Sequence, residues 1–411
     1  MASTTAPARV GEIRFNGEAA AGEAIATPSS YWSGKKKVYA WDCVPMVGKL
    51  SEEDPSLRTN LFESPPNILT GKQASLGFKC HLHGLAQTAA AGIAITQDDL
   101  GYLLKAALGG QHLGTTTSVD PTNTGLGSTS ALRCLNTGGL YAGGAVYVVA
   151  TNECRRIVSV SSPNITLDMD LSSAPTSGLV IAAETTYPDD AALADLSDAA
   201  HVTVAALFRG YHTEDQWQVR GGAVEVELAN LGAPKPGQLQ FTINGMDGEK
   251  VSGVAAGTPF TQQAPAPQIN SGFYYTTVGT TRRYLDTKSI DIKLGIKREA
   301  YPSPAAQQGI AGHGYMGGRT TVEFEAPLDD AFHDDYEAMT AIIAGYQFGR
   351  VSSTLGPIFI SLPALYHDKD PERVGGQSFT GSKCSMHADN SATTTSDLTL
   401  ARFAIHRFPH T

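Results

Sequence analysis

Two histidines separated by one residue are the first candidates for chemistry in this chain. His81 and His83 follow Cys80 directly, and imidazole and thiolate ligands at such spacing can bind zinc or copper. No third ligand lies at a motif distance in the sequence. The pattern therefore favours two histidines on the polar face of a sheet, and we expect no bound metal.

Other familiar catalytic patterns are incomplete. The run His333-Asp334-Asp335 falls in the first turn of a predicted helix, where carboxylates stabilise the positive helix end. Glycine pairs such as Gly109-Gly110 and Gly317-Gly318 never form a phosphate-binding loop, and no serine-hydrolase or zinc-protease motif occurs. Acidic residues could supply the two carboxylates of a glycosidase, but nothing selects a pair. We expect no enzyme and no cofactor.

Composition narrows the class of protein. The 411 residues include 30 Lys and Arg against 40 Asp and Glu, a net charge of −10, which argues against a surface that grips DNA phosphates. Only 17% are charged, while 43 Gly and 22 Pro indicate many turns, so a β-rich chain is favoured. The five cysteines form no CxxC pair and are expected to be reduced. We expect no signal peptide and no membrane span.

Hydrophobic periodicity predicts the elements of the first half. Residues 1–37 lack a sustained period and are interpreted as an extended arm. Residues 74–83 alternate as a strand, and a helix is predicted over 97–108 with Thr96 as its N-cap. Short β runs at close spacing over 143–187 are typical of a small barrel. The remaining predictions are a strand at 201–208 and a hairpin of residues 223–228 and 238–243.

The second half has a similar order of elements. Residues 252–272 are rich in Pro, Gly, Ala and Gln, as in a linker. Alternation predicts strands at 290–296 and 321–325, and an apolar stripe from Leu328 to Ile343 predicts a helix over 329–344. A strand at 357–362 and a final arm at 397–408 follow. Either a tandem duplication or a single α+β protein with two similar lobes gives this order.

The predicted organisation is therefore mainly β, of the α+β class. It consists of an arm (1–37), a first domain (38–142 and 188–251), an inserted β module (143–187), a linker (252–285) and a second domain (286–411).

Three stretches carry a resemblance to a known family. Residues 218–228 with the turn 231–234 and the strand 239–245, the segment 65–72 leading into the strand 74–83, and the arm 398–405 are similar to the major tail tube protein of long, non-contractile-tailed bacteriophages. The resemblance covers about two thirds of the chain. The greater length and the second set of elements fit members that fuse two tube domains.

The resemblance implies a structural virion protein. It implies tandem β-sandwich or barrel domains, each with a packed helix, in rings of three duplicated chains or of six chains. Stacked rings form a tail tube, assembled in the host cytoplasm, which conducts DNA without binding it specifically. The implied partners are the tape measure, terminator and distal tail proteins, with the 143–187 module outside the wall and dispensable. The alternatives are a carbohydrate-binding or carbohydrate-cleaving β protein and a virion decoration or adaptor protein.

Strand parity selects residues for the channel of such a tube. Because their apolar neighbours take the buried face, Glu225, Glu227, Glu323 and Glu325 must point away from the core. A negative channel would repel phosphates and keep DNA mobile. The other possibility is that these acids lie on the outer surface.

Overall fold

The computed structural model describes most of the chain. It covers residues 10–17, 35–53, 67–121, 129–189, 192, 202–208, 215–229, 231, 236–252, 272–277, 283–285, 287, 289–303, 310–327, 330–350, 356–375, 380–388 and 398–411. Within these residues the protein is mainly β, with two α-helices. Most of the proposed linker, 253–271, lies outside the described residues.

Strands predominate throughout the described residues, with one α-helix in each half of the chain. The elements up to the middle of the first half are β1 (Val10–Gly17), β2 (Lys36–Glu53), β3 (Asn67–His81), β4 (Leu85–Thr88), α1 (Asp99–Leu108), β5 (Gly109–Leu113), β6 (Thr117–Ser118), β7 (Ala131–Arg133), β8 (Ala145–Val148), β9 (Glu153–Ser161), β10 (Asn164–Leu167), β11 (Leu179–Ala182) and β12 (Glu184–Pro188). The first half ends with β13 (Val202–Phe208), β14 (Asp215–Ala229), β15 (Gln238–Gly245) and β16 (Asp247–Ser252). The second half has β17 (Gly272–Thr277), β18 (Arg283–Leu285), β19 (Ser289–Lys293), β20 (Arg298–Pro302), β21 (Ile310–Tyr315), β22 (Thr321–Pro327), α2 (Ala331–Glu337), β23 (Ile342–Phe348), β24 (Ile358–His367), β25 (Glu372–Gly375), β26 (Thr380–Ala388), a 3₁₀ turn (Leu398–Leu400), β27 (Ala404–Arg407) and β28 (Pro409–His410).

The strands of the first half curl until the sheet closes. The order β13-β1-β2-β3-β15-β14 returns to β13, because β14 pairs with both β15 and β13. The predicted hairpin is confirmed as β14 and β15, with Val224 opposite Ile243. Val224, Val226 and Leu228 are buried, as the alternation predicts.

Two predictions for this half need correction. Part of the supposed arm is β1, which lies between β13 and β2 with Ile13 and Phe15 fully buried. The alternation of apolar and polar residues in β1 covers only a few positions, and the polar residues Glu12 and Arg14 are buried as well. Their burial is possible because Arg14 Nε donates to Glu12 Oε1 at 2.6 Å. Helix α1 begins later than expected, since Asp98 and not Thr96 is the N-cap. Its predicted apolar stripe is confirmed as buried.

The second half repeats the pairing scheme of the first. In the first half the antiparallel pairs are β1–β2, β1–β13, β2–β3, β3–β15, β13–β14, β14–β15 and β14–β16. In the second half the corresponding pairs are β17–β18, β17–β23, β19–β22, β22–β26, β23–β24, β24–β26 and β24–β27. Strands β18 and β19 together take the place of β2, and with that difference the chain order is the same. A helix lies between β3 and β13 in the first half and between β22 and β23 in the second.

The predicted helix over 329–344 is wrong beyond its first two turns. Helix α2 ends at Glu337, and residues 342–348 form a strand in which Ile342, Ala344 and Phe348 are buried. The chain turns at Met339, which has φ +47° and is 82% exposed. An apolar stripe with breaks fitted the helical period, but residues 342–348 pair with β17 on one side and β24 on the other, and nearly all of them are buried.

A small closed barrel lies between α1 and β13. Its sheet has the order β6-β11-β8-β9-β10-β7, so it spans 117–182 and not 143–187. A bridge between Val119 and Cys134 joins the two edge strands, and Leu135 N donates to Ser118 O at 2.9 Å. The barrel has its own apolar core. Strand β12, which was predicted to belong to the module, pairs instead with β5 and β27.

No helix among the described residues is long and apolar enough to cross a bilayer.

Candidate functional site

Two of the predicted channel residues join the two halves of the chain. Glu227 accepts hydrogen bonds from the backbone N–H of Leu294 at 2.9 Å and of Gly295 at 3.2 Å. Glu225 accepts one from Arg298 N at 2.6 Å. Burial raises the pKa of both carboxyls, and these backbone hydrogen bonds oppose the rise. The pair therefore forms a junction between β14 and the segment 294–298, which we call the domain junction.

Local backbone geometry explains why segment 294–298 can bind carboxylates. It connects β19, which pairs with β22, to the first residue of β20, which pairs with β21. Gly295 has φ +68°, a conformation that residues with a Cβ rarely adopt. The N–H groups of Leu294 and Gly295 both donate to the Glu227 carboxylate, which satisfies them as it would at a helix N-terminus.

The other two predicted channel residues lie in a different environment. Glu323 and Glu325 are on β22, and the Glu323 side chain is 44% exposed, 3.8 Å from Lys383 Nζ. In the repeated scheme β22 corresponds to β3, whereas Glu225 and Glu227 lie on β14. The pair Glu225 and Glu227 and the pair Glu323 and Glu325 therefore do not occupy equivalent strands in the two halves. A channel-lining role remains a prediction for all four.

Removing the Glu227 carboxylate should weaken the domain junction. We expect Glu227→Ala to lower the free energy of unfolding by about 1–3 kcal/mol, because two backbone N–H groups lose a charged acceptor. Glu323→Ala is the matched control, since its weak, exposed ion pair should contribute below about 0.5 kcal/mol. Urea denaturation measures both. Equal losses in the two variants would contradict the assigned role of Glu227.

A buried arginine ties three parts of the fold together. Arg407, on β27, is fully buried. Its Nη1 donates to Asp98 Oδ1 at 2.7 Å and to Glu184 Oε2 at 3.0 Å, and its Nε donates to His83 O at 2.9 Å. Asp98 caps α1, Glu184 begins β12, and His83 follows β3. We call these four residues the Arg407 cluster.

Burial and charge shift the pKa values within the cluster. Burial raises the pKa of Glu184 to about 7, although Arg407 favours its ionised form. For Asp98, burial is outweighed by the charge and hydrogen bonds of Arg407, which lower its pKa to about 2. Glu184 also accepts from Gln111 Nε2 at 2.7 Å. Its carboxylate occupies the space beside Gly101, where a Cβ would lie 1.8 Å from Oε1.

The histidines that opened the sequence analysis line a cleft beside this cluster. The cleft has a volume of about 280 Å³, and its walls include Lys37, Tyr39, His81, His83 and Asp99. Burial lowers the pKa of His83 to about 4, with Arg407 contributing. Cys80 lies in the apolar core and not on the strand face that carries the two histidines, and burial raises the pKa of its thiol to about 12. Within the described part of the chain, no group of three or more His, Cys, Asp or Glu side chains could hold a metal ion.

A serine and histidine pair occurs where the sequence gave no motif. His406 Nε2 lies 2.8 Å from Ser361 Oγ, and its Nδ1 lies 2.8 Å from Thr185 Oγ1. All three side chains are buried, and burial lowers the pKa of His406 to about 3. A neutral, enclosed imidazole between two hydroxyls links β27, β24 and β12, which is a structural role.

The remaining candidates from the sequence lie at the surface or in the core. His333 is exposed and contacts Asp370 at 2.7 Å and Glu337 at 3.3 Å, beside a cleft of about 390 Å³. All five cysteines are buried, and none forms a disulfide. Neither set brings a nucleophile and a base together at an accessible site.

Of the Arg407 cluster, the sequence analysis named only His83 and missed Arg407, Asp98 and Glu184. One signal was present: Arg407 has the same strand parity as the buried Ile405. A charged residue at an inward position requires a buried partner of opposite charge. The sequence could not identify that partner, because Asp98 and Glu184 are more than 200 residues away.

Comparison of the chain with models of known protein families and with curated protein sequences gives no match.

Proposed function

We propose that this protein is a structural virion protein whose copies form the stacked rings of a phage tail tube. The observation that carries the proposal is the repeated pairing scheme, in which two curled antiparallel sheets of the same strand order follow each other in one chain. Two such units joined side by side through the domain junction are what a ring of duplicated tube domains requires.

A second observation supports assembly with neighbours. Within the part of the chain that the structure describes, β2 beyond Trp41 pairs with β3 alone, and β3 pairs with β15 from Ala74 onward. The ribbon of residues 48–53 and 67–73 thus extends from the sheet as two strands. An isolated two-stranded ribbon is marginally stable in water and gains stability from a neighbouring chain. In a stacked tube that neighbour is another subunit.

The acidic net charge suits a channel that conducts DNA. A wall of negative potential repels phosphates over about a Debye length, ~8 Å at physiological salt. Since Glu225 and Glu227 bind backbone of the second half, Glu323 and Glu325 are the better channel candidates. A reconstruction of the tube with both of these side chains on its outer surface would contradict this part of the proposal.

Negative-stain electron microscopy of the purified full-length chain tests the proposal. We expect rings or short tubes, and mass measurement of isolated rings should give three chains. Monomers at all concentrations would reject the proposal and favour a carbohydrate-binding protein. Small discrete oligomers without stacking would favour a decoration or adaptor protein. Rings of six chains would keep the tube but reject the side-by-side placement of the two halves.

A further inference from the structure

We propose that residues 44–46 of one copy bind the end of β24, around Tyr366 and Asp368, in a second copy. This contact would repeat between chains the domain junction that exists within the chain. The inference rests on the association of copies that the proposed function requires, but not on the formation of a tube. It names the two surfaces that meet.

The register of the two sheets defines which residues are equivalent. In each half, one row of paired residues crosses four neighbouring strands in the same order. In the first half the row is Glu225, Thr242, Gly77 and Val44. In the second half it is Tyr366, His387, Thr321 and Lys293. Tyr366 therefore corresponds to Glu225, and Val44 corresponds to Lys293.

One end of each row takes part in the domain junction. Glu225 and Glu227 of the first half contact the segment that follows Lys293 in the second half. This contact uses the β14 end of the first row and the β19 end of the second. Among the described residues, the opposite ends at Val44 and at Tyr366 show no corresponding contact within the chain.

The segment equivalent to the bound one is exposed and apolar. On β2, Val44 is 66% exposed and Met46 is 53% exposed. The equivalent segment of the second half, which follows Lys293, is instead covered by β14. Large apolar side chains exposed at neighbouring positions of a strand mark an interaction surface. In the domain junction the equivalent segment of the second half is covered by β14, and the strand equivalent to β14 is β24. We therefore expect β24 of another copy to cover residues 44–46.

The end of β24 presents a suitable surface. Tyr366 is partly exposed and its ring lies 6.0 Å from that of His387. Asp368 follows at the position of Glu227, as Asp368 N donates to Ser385 O at 2.9 Å. Asp368 also pairs with Arg319 at 2.7 Å and with His387 at 2.8 Å. The surface thus combines an aromatic ring with a mostly neutralised carboxylate.

The chemistry of the new contact differs from that of the domain junction in one respect. Pro45 stands at the position of Leu294, and proline has no N–H to donate to a carboxylate. The contact between copies therefore depends more on apolar packing of Val44 and Met46 against Tyr366. A head-to-tail contact of this kind, made of two different surfaces, generates a closed ring when its rotation closes.

Charge substitution in the exposed segment tests the inference. The double variant Val44→Glu and Met46→Glu should fold as the natural chain does, because both side chains are exposed. We expect its self-association to weaken at least about tenfold, since the contact would bury two unpaired carboxylates. Met339→Glu is the control, since Met339 is 82% exposed and lies outside both surfaces. Sedimentation velocity measures the association.

Cross-linking supplies an independent measurement. Met46→Cys combined with Asp368→Cys should be joined between copies by a short bis-maleimide, and the five native thiols are buried and should stay unreacted. If the double glutamate variant forms rings at the same protein concentration as the natural chain, the inference is overturned while the proposed function stays intact. Absence of rings from the natural chain would overturn the proposed function instead. In that case a cross-linked dimer would still uphold the inference, and monomers alone would reject it.

Discussion

Replacing Arg407 by methionine is expected to lower the free energy of unfolding by about 3–5 kcal/mol. Methionine keeps much of the side-chain volume but removes the guanidinium that neutralises Asp98 and Glu184. Breaking a buried ion pair from one side leaves uncompensated buried charge. The midpoint of urea denaturation at neutral pH measures the loss.

Two further variants make this prediction specific. Arg373→Met is the control, because that side chain is 75% exposed and its contact with Asp330 is long, 3.6 Å. It should change stability by less than about 0.5 kcal/mol. Gly101→Ala should also destabilise, although alanine ordinarily stabilises a helix interior by about 1 kcal/mol. The new Cβ would displace Glu184 from Arg407. A loss below about 1 kcal/mol for Arg407→Met would contradict the role of the cluster.

Deleting residues 143–187 is expected to prevent the chain from folding. The sequence analysis placed a dispensable module at these residues. In the structure the deletion would remove β8 to β11 and leave β6 and β7 without partner strands. It would also remove Glu184, which leaves Arg407 with one carboxylate partner fewer. We expect insoluble protein on expression, with no cooperative thermal transition in any soluble fraction.

A deletion with corrected boundaries is the matched comparison. Leu113 and Glu184 are paired, and Gly114 N donates to Ala183 O at 3.1 Å, so an Asn-Gly turn can replace 115–182. This variant keeps β5, β12 and the Arg407 cluster. Both deletions expose Phe359 and Phe408, which pack against the barrel, so that effect is shared. The corrected variant should unfold cooperatively, at reduced stability. Equal behaviour of the two variants would reject the boundaries given by the sheet.

Local sequence determined most of the strands and the faces that they bury. In β14, Val224 and Val226 alternate with the two glutamates, and in β22 the same alternation buries Val322 and Phe324. Successive side chains of a strand point to opposite faces, so the sequence alone carries this information. The apolar stripe of α1 was predictable for the same reason, since its period is set by the helix itself.

Tertiary structure decided the elements in which local and long-range preferences conflict. Residues 342–348 form a strand because β17 and β24 pair with it on both sides, although the stripe before them continued a helical period. Strand β1 was missed because its polar residues, Glu12 and Arg14, pair with each other inside the fold. In the first case the deciding partners are strands from elsewhere in the fold. In the second case the deciding factor is the burial of both residues within the fold.

The same distinction separates what was predictable in the candidate site. The sequence determined that Glu225 and Glu227 point away from the core of their own sheet. That they bind Leu294, Gly295 and Arg298 depends on where a second sheet lies, about 70 residues further along the chain. Periodicity reports the environment of a residue within its own element, whereas an interaction between distant elements depends on how they pack. Sequence periodicity therefore determined the faces of the sheets, and only the tertiary structure decided which distant groups meet across them.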